Sequence, residues 1–181
     1  SLDDNWSKAA FLVVAAKAPE LFLEAAFSSG NIAALTPLLT ALTDRLGAGS
    51  PDGAAKLVIG LAARPASADA LKVAMLNALG SASKGNPPAS APLSAALKTL
   101  LTSANARVAA AALPLAVRWD ANALANEVKS VGASLVAKLA DKSQSDDARV
   151  EIATTLLTVR SAVPAAQAGL FTLLGSGASA G

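Results

Sequence analysis

A helical hairpin that returns after about 40 residues leaves a chain few ways to bury its apolar side chains. Residues 91–119, APLSAALKTLLTSANARVAAAALPLAVRW, read as a helix, a short turn at 103–105 and a second helix. The start of that second helix is echoed downstream. Asn105-Ala106-Arg107-Val108 and Asp147-Ala148-Arg149-Val150 stand 42 residues apart. One hairpin cannot cover its own apolar face, but a stack of similar hairpins can, so the repetition predicts an α-solenoid. The expected fold is all-α: an α-α superhelix of about ten helices in about five antiparallel pairs, filling residues 1–181 as one domain.

The composition agrees with this. Hydrophobic residues make up 53% of the 181 residues and charged residues 15%, which is too apolar for a disordered chain. Aromatics are only 3%, and Ala and Leu carry much of the apolar content. Both are strong helix formers, and small side chains let helices approach closely. Runs of β-branched and aromatic residues that would support a sheet are missing.

Several function classes are excluded or disfavoured by the same residues. His and Cys are both 0, so this chain holds no imidazole base, no His-containing triad, no thiolate ligand and no disulfide. Net charge is +2 with no basic block, which does not fit nucleic-acid binding by clustered phosphate contacts. The two uncharged stretches at 25–43 and 161–181 are broken by Gly, Ser, Asn or Pro, so no membrane insertion is expected. The first residue is Ser, and the chain is expected to be a segment of a longer protein.

Capping residues, prolines and apolar spacing place the helices. The expected spans are 5–17, with Asp4 as cap, then 19–28 and 31–46. The last of these carries Ile32, Leu35, Leu38, Leu39 and Leu42 as a buried stripe and Pro37 as a bend or break. Residues 47–51, GAGSP, read as a loop. Helices follow at 52–64, 67–81, 91–103, 105–119, 121–141, 146–160 and 164–174. Gly132 is expected to weaken the middle of one, Pro114 to kink another, and Asp146 or Asp147 to cap the helix that follows.

Candidate chemistry is sparse. Ser81-Ala82-Ser83-Lys84 has the S-x-x-K form of a serine acyltransferase but lacks the companion motifs and sits at a helix end. Gly47–Gly53 resembles a phosphate-cradling loop without the preceding strand such loops need. The pairs Asp3-Asp4 and Asp146-Asp147 offer too few oxygens for calcium and read as helix-start residues. Lys17, Arg45, Arg118 and Arg160 recur near helix ends, where they complement the negative pole. Arg107 and Arg149, at the echoed helix starts, are expected to bond to a neighbouring turn as a ladder. Trp6 and Trp119 read as gap fillers at helix ends. The basic residues Lys72, Arg107, Arg118, Arg149 and Arg160 form the candidate interaction surface, with no catalytic, cofactor or metal residue expected.

Residues 92–113 carry a family resemblance. A proline-led helix with Leu93, Leu97, Leu100 and Leu101 is followed by Asn105 in the turn, a basic–Val pair, and the Ala-rich run 109–112. This resembles a HEAT repeat, except that Arg107-Val108 reverses the usual Val–Arg order. The likeness is good over 91–119, fair over 124–160 and weak before Pro65. A second likeness lies at DDNWSKAAFL (3–12) and Pro19-Glu20-Leu21-Phe22, which resemble HEAT-type segments of large bacterial proteins classed as membrane-bound dehydrogenases. In those, a β-propeller precedes the repeats and a haem-binding CxxCH domain follows. The resemblance implies an extracytoplasmic or periplasmic setting, and any redox chemistry would belong to other domains, since Cys and His are absent here.

The expected function is therefore non-catalytic. The segment spaces or docks other domains of its own protein, or another protein. The alternative is a free-standing module that binds a peptide or helix in its concave groove.

Overall fold

Several of the chain's helices start where the backbone is given a cap or a proline. The computed structural model describes residues 13–15, 17–18, 21–22, 25 and 32–177. The expected cap Asp4, the pair Asp3-Asp4 and Trp6 lie outside them. The architecture is all-α, with no strand among the described residues. Two compact units are present, Ser1–Thr99 and Leu100–Gly181.

In the first unit, α1 (Ile32–Gly49), α2 (Pro51–Ala62) and α3 (Asp69–Ala82) form the described framework, with a 3-10 turn at Ala66–Ala68 before α3. The expected loop at 47–51 shrinks to one residue. Ser50 has extended backbone, its Oγ accepts from Gly53 N at 3.1 Å, and Pro51 opens α2 at its first position. Gly47 is helical because α1 must come very close to α3. A Cβ there would lie 3.0 Å from Ala82 Cβ and 3.2 Å from Leu79 Cδ1. The carbonyl of Gly47 also accepts from Lys84 N at 3.3 Å. Pro37 does not break α1; it is exposed, so its ring points away from the core. Leu39, Leu42 and Leu46 of α1 are buried with Leu57, Val58 and Leu61 of α2 and Leu71, Met75, Leu76 and Leu79 of α3. A buried hydroxyl in this core, that of Thr43, donates to Leu39 O at 2.7 Å and so is satisfied within its own helix. Upstream, Leu21 is 65% exposed.

Helix α4 (Ala91–Leu101) crosses the boundary between the units in sequence, with Leu93, Leu97, Leu100 and Leu101 buried as the stripe predicts. The second unit is built from α5 (Ala106–Asp120), α6 (Ala125–Ala140), α7 (Asp146–Val159) and α8 (Pro164–Gly177). Helix α5 packs on α6 and α7, α6 on α7 and α8, and α7 on α8. Helices α5 and α8 share no substantial contact among the described residues. Each helix therefore borrows its dry face from the next and the next but one, as in a layered helical stack rather than a closed bundle. Pro114 is accommodated inside a continuous α5.

With few aromatics, this unit gains close contact from glycine. An added Cβ on Gly132 of α6 would fall onto Val163 Cγ1, just ahead of α8. Conversely, a Cβ on Gly169 of α8 would lie 2.7 Å from Val136 Cγ1 of α6. The glycine of α6 thus faces the valine just ahead of α8, and the glycine of α8 faces a valine of α6. Gly132, expected as a weak point, is a packing notch.

Candidate functional site

The candidate basic residues differ in their surroundings. Lys72 is buried, 7% exposed, and its Nζ lies 3.0 Å from Asp69 Oδ1 in the first turn of α3. It is a satisfied internal cation and not available to a partner. Arg160, just past α7, donates from its guanidinium to Leu157 O at 3.0 Å, which satisfies a terminal carbonyl and complements the helix's negative end. Arg118 is exposed in the last turn of α5. Arg149 is half-buried and pairs loosely with Asp146 Oδ1 at 3.7 Å on its own helix, while its Nε is buried without a partner. Neither Arg107 nor Arg149 bonds to a neighbouring turn among the described residues; Arg107 is the second residue of α5, whereas Arg149 is the fourth of α7.

The cause lies in the caps. Asn105 caps α5, its Oδ1 accepting from Arg107 N at 3.0 Å. In α7 the cap is Ser145, whose Oγ accepts from Ala148 N at 3.3 Å, and not Asp146 or Asp147. Those two aspartates sit in the first turn, facing the positive pole. The turn before Ser145 is closed by Asp141, whose carboxylate accepts from Ser143 N at 2.9 Å, Ser143 Oγ at 2.8 Å and Gln144 Nε2 at 3.3 Å. These bonds, the Ser143 amide first, hold the Asp141 carboxyl below the usual range.

Of the candidates, Arg107 lines a cleft. It opens where α5 meets α6 and α7 and has a volume of about 160 Å³. Ala106, Arg107 and Ala110 come from α5, Leu135 and Lys138 from α6, and Gln144 from the turn. Helix α7 contributes Ala148, Glu151, Ile152 and Thr155, the face read at i, i+3, i+4 and i+7 from Ala148. Leu135 is buried and forms apolar floor with Ile152; the charged groups stand at the rim. Neither Arg107 nor Lys138 has a carboxylate within 4.0 Å among the described residues. Sequence reasoning missed Lys138, Glu151 and Thr155. The spacing of 148, 151, 152 and 155 would have revealed Glu151 and Thr155 once Ser145 was recognised as the cap.

A second hollow of about 270 Å³, shallower, lies between Leu101 and Thr102 and the α6 residues Asn126, Glu127, Ser130 and Val131. Two of the motifs singled out from sequence make local hydrogen bonds at helix ends. Ser81 Oγ donates to Asn77 O at 3.0 Å, and the Gly53 amide that a phosphate loop would offer is taken by Ser50. Trp119 is buried at the end of α5, 8% exposed, with Nε1 unpartnered among the described residues. No group of three or more acidic side chains among the described residues could hold a metal ion, and no helix among them is long and apolar enough to cross a membrane. No protein-family model matches the chain, and neither a curated protein nor a solved structure matches it.

Proposed function

We propose that this chain is a non-catalytic helical-repeat scaffold, a HEAT-like superhelical module that spaces or docks other domains of a longer protein. The observation that carries this reading is the packing order of the second unit. Each helix is covered by its next two neighbours and the outermost pair is left apart, so helix faces remain for further protein contacts. Val150 and Leu157, seven residues apart on α7, are 65% and 48% exposed, and Phe171 of α8 is 66% exposed. Large apolar groups left in water are what an interaction surface presents. The finer reading, a HEAT segment of a bacterial membrane-bound dehydrogenase working outside the cytoplasm, rests on the resemblance of 3–12 and 19–22.

The test is to produce the chain and the domains that flank it in its reading frame as separate polypeptides. Size-exclusion chromatography and cross-linking then read their association. A saturable complex with a flanking domain is expected, weakened by Leu157→Asp. The reading fails if neither flanking domain makes contact. A second reading, a free-standing peptide-binding module, is favoured by one observation: the rimmed cleft between α5, α6 and α7.

A further inference from the structure

We infer that the cleft between α5, α6 and α7 receives an acidic side chain projecting from a protein partner, set beside an apolar residue of the same segment. The inference rests on reading the chain as a protein-binding module. Charge is the first argument. Arg107 and Lys138 reach the same hollow from two different helices, and neither has an anionic partner among the described residues. Glu151 is the single carboxylate on the rim, so the lining carries an excess of one positive charge. Two cations against one carboxylate of the chain's own leave room for one more carboxylate, and Arg adds a planar pair of donors for it.

Size is the second argument. About 160 Å³ falls below the roughly 300–1,000 Å³ of small-molecule and cofactor pockets, which suits a side chain better than a free ligand. The floor is the third. Leu135 and Ile152 give an apolar residue next to the carboxylate a dry contact, while Thr155 Oγ1 is engaged with Glu151 O at 3.0 Å and leaves the hydroxyl little freedom to compete. The first-turn amides do not supply the anion site. Asn105 and Ser145 already accept from Arg107 N and Ala148 N. Side-chain cations carry the recognition, and Glu151 limits it to a single negative charge or accepts an N–H from the partner's backbone.

The experiment is selection of a random heptapeptide display library on the full chain. Affinities of the selected peptides are then measured by fluorescence anisotropy, with free glutarate as the small-carboxylate control. Sequences with one Asp or Glu next to Leu, Ile or Val are expected. Arg107→Gln and Lys138→Gln should each weaken such a peptide by about three- to tenfold, and Glu151→Gln should tighten it about twofold. All three sites are at least partly exposed, so helicity by circular dichroism should not change. Neutral or basic consensus sequences would overturn the inference. So would acidic peptides whose affinity is the same in the variants, or the absence of any saturable peptide up to about 1 mM. Glutarate binding as tightly as the peptide would also overturn it, by making a free carboxylate the occupant. If the flanking domains bind but no acidic peptide is selected, the cleft is excluded and the scaffold stands. If acidic peptides bind while the flanking domains do not, the scaffold is excluded and the cleft stands.

Discussion

Helices α5 and α7 begin with almost the same residues and bury opposite ones. Val108 in α5 is fully buried; its counterpart in the four-residue echo, Val150 in α7, is 65% exposed. The caps explain the reversal. Asn105 and Ser145 are 40 residues apart, whereas the echo runs at 42. A slip of two residues turns a helix by about 200°, which carries a buried position to the opposite face. Matched by caps instead, Ala116 pairs with Leu156 and Trp119 with Val159, and all four are buried. A short repeated word is therefore a weaker guide to repeat register than the residue that receives the first free amide.

The comparison can be broken most severely at its two valines. Val108→Asp places an unpaired charge in the core and should cost at least about 4 kcal/mol. Val150→Asp should stay within about 0.5 kcal/mol. Urea unfolding followed by Trp119 fluorescence, in a Trp6→Phe background, measures both; equal losses would restore the 42-residue register.

The next largest effect concerns the notch that seats α6 against α8. Gly132→Ala gains about 1 kcal/mol of helix propensity but forces a methyl onto Val163, a clash of about 1–3 kcal/mol in a packed core. A net loss of about 1 kcal/mol is expected. In a Val163→Ala background the same glycine change should instead stabilise, and a double-mutant cycle that shows no coupling would contradict the contact.

A smaller effect separates the rival caps. Ser145→Ala should cost about 1 kcal/mol and Asp147→Ala only a few tenths, with Asn105→Ala matching Ser145→Ala in α5. The reverse order in α7 would mean that Asp147 is the cap after all.

The smallest effect is a pH dependence in the turn that sets α7's start. The folded-state pKa of Asp141 is lowered, so its hydrogen bonds add stability above the ordinary aspartate range. That contribution is lost as pH falls through the lowered folded value. The wild-type advantage in Tm over Asp141→Asn should therefore be present at neutral pH and vanish in acid. A difference that persisted or grew in acid would show that the carboxylate is not what closes the turn.

Much of the fold was legible because its signals are local. Leucines at 93, 97, 100 and 101 return at helical spacing, and each is buried. Asn105 stands before an Ala-rich run and caps it. The loop at 47–51 was misread because Gly and Pro are ambiguous in sequence. Gly47 is needed for close approach to Ala82, and Pro51 for the first position of α2, so both serve helices. Gly132 was misread for the same reason. The candidate site was less legible. Lys72 shares its type and spacing with surface lysines, but Asp69 and the surrounding core enclose it. Lys138 lies 31 residues from Arg107 in the chain, and no local pattern links the two.

The residues alone determined that this chain makes helices, where most of them begin, and which chemistries it cannot perform, because propensity, capping and the lack of His and Cys act at the level of single residues and turns. Only the tertiary structure decided which face of α7 is dry, which lysine is enclosed and which cations share a cleft. Those outcomes depend on how far each helix is rotated against its neighbours, and a shift of one or two residues at a cap changes that rotation without altering the composition.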